Sequence, residues 1–461
     1  MKKMMEMLTK MLRADPLRFA MLSKPCAKGR ALLFAALMAV YGLLLVKLCA
    51  AMEGAAVIAA CGVIGCAMLT AFAWSALEER GQPALVLLCT AGLAALAVGA
   101  HIAMLDIAPG RYSGVLKPML DDMWNYDLRT AMAWEERGWS GVYLIVMALC
   151  AYLESFSQLY ALKLFDMLCQ CMAAGAVMKL AQRRGAGAYG AIAAMFGCVL
   201  APTMIMNAGL WAQCDATFAM FTLWGLYLLL SDRPFAGCVL WGLALGTKLQ
   251  SAFVFPLLIV LLMKDRVQLR HVLALAAAAF LCQIAIVLDG QGVYALISRY
   301  AQQLEEARWS VGLADNAPGV YALMTVASTR EFSGMGLYLG IACALMVVLA
   351  LLRSKRSLTA DTLGLAALLL ACGLPLILPQ MNARSLYLAI MLAFAMAGSG
   401  RRLLIAGLLE LISLCCYMQA IFSHTIVPMT VLSLAAIGAA VLVLLELLEA
   451  LGCGVREAHE A

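Results

Sequence analysis

The sequence predicts an all-α, polytopic transmembrane helical bundle with short half-helices and a helical first outer loop. Hydrophobic residues make up 65% and charged residues 13% of the 461 positions, whereas a soluble domain is about half apolar and a quarter charged. Apolar runs of about 20 residues, long enough to cross a bilayer, recur along the chain. Lys and Arg gather in alternate turns between these runs, a bias typical of cytoplasmic loops.

The apolar segments predict about 11–14 helices in all. Several segments are too short to cross alone at about 1.5 Å per residue, and we expect them to be half-helices buried in protein or lining a cavity. A further half-helix is expected to dip back over 142–153. The predicted spans are 31–51, 54–77, 83–105, 158–179, 187–206, 212–231, 234–248, 251–263, 270–288, 336–352, 361–378, 385–399, 402–422 and 426–449.

The charge distribution predicts a topology, and the net charge of +6 does not indicate a nucleic-acid partner. Region 1–30 lacks the apolar core and cleavage site of a signal peptide, so we expect a basic amphipathic helix on the cytoplasmic surface. Residues 31–461 then form a single multi-pass domain in the cell membrane. The later cytoplasmic turns hold Arg80, Lys179, Arg183, Arg184, Arg233, Lys264, Arg266, Arg270, Arg353, Lys355, Arg356, Arg401 and Arg402.

With this topology, nearly every polar cluster falls on the extracytoplasmic face. The clusters are the outer loops 106–140, 289–335 and 379–387, the segment 211–215, and the pair Lys248 and Gln250. Charged groups at membrane depth usually face a cavity or a partner. An active site on the outer face, supplied with substrate from the bilayer, is therefore expected.

The first outer loop carries the candidate catalytic acids Asp106, Asp121 and Asp122. A carboxylate can take a proton from an attacking hydroxyl, and the Trp and Tyr residues of this loop suit a sugar ring or a lipid. Loops longer than about 15 residues are usually functional or disordered. The alternative is a solvated loop whose aromatic residues mark the membrane interface.

Charged and amide side chains recur together at the ends of the later spans. Gln213 lies beside Asp215, and Gln250 follows Lys248. Lys248 is expected either to form a structural ion pair with Asp215 or to bind a lipid phosphate as a point charge. Arg384 could clamp a phosphate through paired hydrogen bonds, or it could extend to lipid headgroups as an interfacial arginine.

The sequence contains no motif typical of a metal site or a nucleotide-binding site. The 17 Cys and 4 His residues are scattered without zinc-site spacing, and buried membrane cysteines behave as small hydrophobic residues. No Gly-rich phosphate loop is present in the sequence. We therefore expect no metal and no cofactor.

Three motifs together resemble a known enzyme family. Segment 207–215 reads NAGLWAQCD, residues 248–250 read KLQ with Phe-Pro shortly after, and 316–321 reads NAPGVY. These are similar to bacterial relatives of GPI mannosyltransferase II, in the GT-C class of integral membrane glycosyltransferases. The resemblance runs from about 106 to 387 in the family's motif order. It implies a GT-C-like fold that transfers a mannose-like hexose from a polyprenyl-phosphate sugar to a glycan or lipid acceptor outside the cytoplasm.

The chain departs from the family where charge and proton transfer matter. The family's first loop reads Asp-x-x-Ser-Gly-Asp-Tyr, and here Arg111 precedes Tyr112 where the presumed base belongs. In the third loop, Gln380, Asn382 and Ala383 replace Lys, His and Glu, while Arg384 is kept. The family's Trp-Gly-Gln is Trp-Ala-Gln at 211–213. If the reaction persists, one of the three first-loop acids must act as the base.

Three functions stay open at this point. The first is a lipid-linked-sugar glycosyltransferase. The second is an altered relative that binds a lipid-linked sugar or assists a partner enzyme. The third is a transporter, which would need an internal repeat that the sequence does not show. The expected binding residues, facing a polyprenyl-phosphate sugar among membrane lipids, are Arg111, Tyr112, Trp211, Gln213, Asp215, Lys248, Gln250, Asn316, Arg384 and Tyr387.

Overall fold

The fold is an all-α polytopic membrane bundle, as the sequence predicts. The structure is a computed structural model that describes residues 24, 26–77, 82–110, 112–132, 141–153, 155–295, 297–298, 313–324, 329–398 and 400–452. Within these residues, 8 helices are long and apolar enough to cross a membrane, or up to 9 if a bent pair counts as one span. The chain is therefore a multi-pass membrane protein. The predicted surface helix over 1–30 lies almost entirely outside the described residues.

The chain packs as two compact units, Met1–Ala103 and Met104–Ala461, where the sequence predicted one domain from 31 onward. The first unit holds α1 (Ala27–Leu48), α2 (Ala55–Leu77) and α3 (Ala84–Ile102). Trp74 of α2 joins it to α3, because its indole N–H donates to Leu87 O at 3.2 Å and to the Thr90 hydroxyl at 3.1 Å. A buried polar indole is thus paired within the unit.

The second unit begins with a helical loop, the predicted first outer loop, and continues with the longer helices. A π-helical turn (Tyr112–Leu116) leads into α4 (Lys117–Trp124) and α5 (Leu128–Met132), which confirms the predicted helical character in the described part of that loop. The following helices are α6 (Gly141–Ala151), α7 (Gln158–Arg183), α8 (Ala188–Val199), α9 (Pro202–Ile205), α10 (Asp215–Leu230), α11 (Pro234–Leu245), α12 (Pro256–Met263), α13 (Leu269–Leu281) and α14 (Ile284–Leu288).

The C-terminal part of this unit contains two short strands and the remaining long helices. Strand β1 (Ala314–Asp315) pairs in parallel with β2 (Met381–Asn382). Single turns of π-helix (Met206–Leu210) and 3₁₀ helix (Leu249–Val254, Val320–Leu323) connect other elements. The helices are α15 (Thr329–Arg353), α16 (Ala360–Ile377), α17 (Tyr387–Met396), α18 (Gly400–Phe422) and α19 (Met429–Leu451).

The short apolar segments are half-helices, as predicted. Helices α6, α11 and α17 have 11, 12 and 10 residues, and at about 1.5 Å per residue none of them can cross a bilayer alone. Pro234 and Pro256 each occupy the first turn of a short helix, where the missing N–H is not needed. Such breaks bring irregular backbone to membrane depth, where other protein groups must form hydrogen bonds with its free N–H and C=O groups.

One predicted span, 187–206, is bent by 50° between α8 and α9. Pro202 begins the second part, because proline cannot continue the first helix. Glu410 of α18 accepts hydrogen bonds at this break from the Thr203 N–H at 2.9 Å and from the Thr203 hydroxyl. The Glu410 residue is only 8% exposed. An acid inside the membrane therefore caps a broken helix.

This cap predicts a stability effect. Glu410→Leu leaves the buried Thr203 N–H and hydroxyl unpaired, so we expect it to lower the free energy of unfolding by about 2–4 kcal/mol. Glu410→Gln keeps an acceptor oxygen and should cost less than half as much. Equilibrium unfolding in mixed detergent micelles measures both variants. Equal losses for Leu and Gln would contradict the capping role.

Helix α7 forms the centre of the second unit, with 78% of its membrane-length window buried. Ala173, Ala174, Gly175 and Ala176 form a run of small, buried residues along it. Small side chains let neighbouring helices approach closely in a membrane, where lipid offers no hydrophobic driving force for association. The packing around α7 thereby brings the ends of α10 and α17 together.

Basic turns and polar clusters lie at opposite ends of the same helices in this unit. Helix α10 begins at Asp215 and ends at Leu230, whose carbonyl accepts from Arg183 at 2.8 Å. At that basic end, Arg402 binds Asp361 through two hydrogen bonds of 2.6 and 2.9 Å. The sorting predicted from the sequence is therefore present as two chemically different ends of one bundle.

Candidate functional site

A buried carboxylate, Asp215, is the centre of the candidate site. It is the first residue of α10 and is fully buried. Its Oδ1 is paired with Lys248, and its Oδ2 accepts from Asn207 Nδ2 at 2.8 Å and from Arg384 Nη1 at 3.4 Å. The predicted pairing of Lys248 with Asp215 is therefore present, and Arg384 joins it. Burial strengthens such contacts but makes each charge depend on its partners.

The segment 206–215 folds so that Asn207 and Asp215 face each other. A π-helical turn over 206–210 is followed by Ala212 in the left-handed region, with φ of 53°. The Gln213 N–H then donates to Asn207 O at 3.3 Å. The chain reverses within a few residues, so the amide of one end meets the carboxylate of the other.

The left-handed Ala212 gives a second stability prediction. An L-residue pays about 1–2 kcal/mol in this region, which glycine avoids, while losing the buried methyl costs about 0.8 kcal/mol. Ala212→Gly should therefore change stability by less than about 1 kcal/mol. Ala212→Val adds a β-branched side chain at positive φ and should destabilise by about 2–4 kcal/mol.

The control for that pair is Ala216→Val, at a fully buried position within the regular helix α10. It adds the same bulk without the left-handed backbone, so thermal unfolding in detergent separates overpacking from backbone strain. Ala212→Val is expected to unfold at a lower temperature than Ala216→Val. Equal midpoints would mean that the turn carries no strain.

Lys248 is held by the junction between α11 and the 3₁₀ turn that follows. Its backbone is extended, and the preceding Gly246 carbonyl accepts from the Val142 N–H at 3.0 Å. Gly141 also lets α6 lie close to the end of α13, because a β-carbon there would collide with the carbonyl of Cys282. The half-helix α6 is thus fixed against the segment that carries Lys248.

Arg384 is positioned by the pairing of β1 with β2. Ala314 is opposite Met381 and Asp315 is opposite Asn382 in the β1–β2 pair. The Asn382 side-chain oxygen accepts from the Arg384 N–H at 3.1 Å. Two residues beside the strands, Asn316 and Gln380, have positive φ values of 53° and 62°. Strained backbone of this kind concentrates at functional sites.

The guanidinium of Arg384 has three contacts in the site. Its Nη1 donates to the side-chain oxygen of Gln213 and to Asp215, and the group lies 5.2 Å from the Trp211 ring centroid. Burial acts to lower the pKa of the guanidinium, but Asp215 acts against it and the pKa is raised. Arg384 therefore stays charged. Trp211 packs edge-on against Tyr417 at 5.2 Å.

The least buried side of this cluster is cationic and aromatic. The side chains of Lys248 and Arg384 are 18% and 9% exposed, whereas that of Asp215 is 0% exposed. Trp211 is partly exposed beside them. Two cations therefore share one buried carboxylate, and a ligand approaching from outside meets the cations.

The first outer loop packs on the floor of this site. Tyr112, Leu116 and Leu120 belong to one buried cluster with Ala212 and Cys214. Burial, with a smaller contribution from the charge of Asp121, raises the pKa of the Tyr112 phenol, so the phenol is neutral at pH 7 and can donate a hydrogen bond. Arg111, which the sequence places in the same site, lies outside the described residues.

The three candidate acids occupy exposed positions on that loop. Asp106 accepts a hydrogen bond from the Tyr160 hydroxyl, and Asp121 is paired with Lys117. Asp122 is also exposed. In the part of the chain that the structure describes, no hydrogen bond or ion pair joins any of the three to Asp215 and its partners. Their catalytic role stays a prediction.

The other predicted binding residues take different positions. Gln250 lies on the 3₁₀ turn after Lys248, and its side-chain oxygen is buried without a partner among the described residues. Asn316 donates to its neighbour Asp315 at 3.2 Å beside β1. Tyr387 is fully buried and donates to Gln170 of α7 at 3.4 Å, so it supports the site from behind.

Asp166, Asn207 and Tyr417 join the site without having been predicted as site residues. Asn207 Nδ2 contacts both Asp215 and, at 2.8 Å, the Tyr417 hydroxyl. Asp166 of α7 is fully buried near Asp215, and neither of its carboxylate oxygens has a well-formed hydrogen bond to a described residue, although Thr217 lies beside it. An acid within the apolar run 158–179 is itself a functional signal and could have revealed Asp166.

The arrangement is suited to holding an anion beside an aromatic surface. Within the described residues, no group of three or more His, Cys, Asp or Glu could hold a metal ion. Fixed cations in a site of low water content can stabilise charge that develops on a leaving group. No known protein-family model matches this chain, and no curated protein sequence matches it.

Proposed function

We propose that this protein is a GT-C-like membrane glycosyltransferase that takes a mannose-like hexose from a polyprenyl-phosphate sugar. The observation that carries the proposal is the sharing of the buried Asp215 by Lys248 and Arg384. We further propose that this cluster lies on the extracytoplasmic face of the cell membrane. The positive-inside rule supports that orientation, because the opposite helix ends carry the basic turns.

The charge of the cluster supports a phosphate ligand. One carboxylate is paired with two cations, and the cations are less deeply buried than the carboxylate. The Arg384 guanidinium offers a planar fork that matches phosphate, and Lys248 acts as a point charge. A polyprenyl phosphate would reach them from the bilayer, since α7, which packs beside the cluster, is a membrane-length apolar helix.

An aromatic side chain supports a sugar next to that phosphate. Trp211 is partly exposed and its ring lies under Arg384 at 5.2 Å. An indole face suits the apolar face of a hexose. Gln213, beside Asp215, and Gln250, just after Lys248, supply amide groups.

The proposed reaction needs a base and a stabilised leaving group. The acceptor hydroxyl attacks the anomeric carbon, the bond from that carbon to the phosphate oxygen breaks, and the hydroxyl proton passes to a carboxylate. Asp106, Asp121 or Asp122 would take that proton. The departing polyprenyl phosphate gains one negative charge, which Lys248 and Arg384 would stabilise.

The alternative is a relative that binds the lipid-linked sugar without turnover, or assists a partner enzyme. Two observations favour this alternative. Arg111 stands where the resembling family has its presumed base, and no described hydrogen bond links the three acids to Asp215. In that case the cationic cluster keeps its ligand, and the protein presents it to another enzyme.

A transfer assay distinguishes these two functions. Purified protein receives a labelled polyprenyl-phosphate mannose with candidate acceptors, and released or transferred sugar is counted. Turnover that Asp106→Asn abolishes would support the enzyme with Asp106 as base. No product from wild type, but product from Arg111→Asp, would support the altered relative. If neither protein binds or turns over the donor, the proposal is wrong.

A further inference from the structure

The end of the bundle opposite Asp215 holds basic residues of two kinds. Arg401 and Arg402 are neutralised by Glu446, Glu449 and Asp361. By contrast, the side chains of Arg233, Lys264 and Arg270 make no hydrogen bond or ion pair with any residue that the structure describes. These three cations have no acidic partner among the described residues and can bind an anion that is not part of this chain.

Two of these cations, Arg233 and Arg270, line a cavity of about 460 Å³ between the first turns of α11 and α13. Arg233, Arg266 and Arg270 face it, and Asp265 is the acid in its wall. His271 also lines the cavity and is 8% exposed. Its Nδ1 accepts from the Gln268 N–H at 3.1 Å, so the ring proton is on Nε2, as a donor.

A second cavity, of about 250 Å³, adjoins the first through Arg266. Lys264 and Arg356 line it together with apolar side chains of α12 and α16. The Arg266 guanidinium donates to Leu358 O at 3.2 Å, which fixes the residue shared by the two cavities. The two cavities therefore form a continuous cationic surface, defined here as the α11–α13 basic surface.

Exposed apolar side chains border the α11–α13 basic surface. Phe235, Leu269 and Leu273 are 62%, 65% and 63% exposed. Phe235 and Leu269 lie on the first turns of α11 and α13, beside the arginines, and Leu273 lies one turn further along α13. In a membrane protein such residues face hydrocarbon, so the cations lie at the level where headgroups meet acyl chains.

We propose that the α11–α13 basic surface binds the headgroup phosphate of an anionic membrane phospholipid, with an acyl chain against Phe235, Leu269 and Leu273. Unpaired cations attract the phosphate, and the apolar border distinguishes a lipid from a soluble anion. This site is separate from the Asp215 cluster and does not depend on the proposed function.

Lipid binding to the purified full-length protein tests this proposal. Native mass spectrometry counts adducts with phosphatidylglycerol, cardiolipin and phosphatidylcholine. Wild type should retain either anionic lipid in preference to phosphatidylcholine. Arg233→Gln/Arg270→Gln should bind the anionic lipids about 30-fold more weakly, since each cation near the membrane surface contributes about a factor of five.

Two matched variants make the result specific. Arg353→Gln/Lys355→Gln removes two cations that line neither cavity and should keep wild-type binding. Arg233→Lys/Arg270→Lys keeps both charges and should keep most of the binding. Equal loss in both glutamine pairs would overturn the proposal, because binding would then follow net charge. Displacement of the bound lipid by millimolar inorganic phosphate would overturn it in favour of a soluble anion.

Discussion

Asp215→Asn is expected to destabilise the protein by about 3–5 kcal/mol, the usual cost of leaving buried charges without their partner. Asp215 is fully buried and contacts Lys248, Arg384 and Asn207. Asparagine keeps the shape but removes the negative charge that both cations need. Unfolding in mixed micelles, followed by circular dichroism, measures the loss in free energy of unfolding.

Two further variants make this measurement decisive. Asp215→Asn/Lys248→Met removes one uncompensated cation together with the anion, so it should be more stable than Asp215→Asn alone. Asp232→Asn breaks a surface pair with Arg183 at 3.7 Å, where the aspartate side chain is 79% exposed. That variant should change stability by less than about 1 kcal/mol. Similar effects at positions 215 and 232 would contradict the buried cluster.

Arg384→Gln is expected to weaken binding of a polyprenyl-phosphate sugar by about 30- to 150-fold, since one hydrogen-bonded charge contributes about 2–3 kcal/mol. Arg384→Lys keeps the charge but loses the planar fork, so we expect an intermediate loss. Fluorescence or scintillation binding with a labelled donor lipid in detergent gives the dissociation constants.

The control for Arg384 is Arg353→Gln, which removes an exposed cation at the end of α15. It should leave donor binding within about twofold of wild type, because exposed distant charges are largely screened by salt. Donor binding by Arg384→Gln equal to that of the control would contradict a phosphate site at the Asp215 cluster. Each variant is first shown to elute as a single species, so loss of fold does not mimic loss of binding.

Hydropathy and local motifs predicted the parts of the structure that depend on near neighbours. Apolar runs located the spans and the half-helices α6, α11 and α17, because burial in lipid is read directly from composition. The pairing of Asp215 with Lys248 was also predictable, since charges at membrane depth need partners. Proline at 202 and 256 begins a helix for a local steric reason, although the predicted spans 187–206 and 251–263 ran through both positions.

The contacts that assemble the site depend on the tertiary fold. Arg384 and Asp215 are 169 positions apart, and nothing local in either segment specifies their contact. The β1–β2 pair contains two residues in each strand, too few for an alternating pattern to be recognised. Asp166 lies in a long helix that has no amphipathic pattern, so the sequence does not indicate which neighbouring helix the acid faces.

The most direct test of the central claim is a cryo-EM structure in nanodiscs with a polyprenyl-phosphate sugar bound. We expect phosphate density in contact with Lys248 and Arg384, and sugar density against Trp211. Density for the donor phosphate elsewhere, such as midway along the spans or at the basic helix ends, would contradict the assignment of the Asp215 cluster as the lipid-phosphate site.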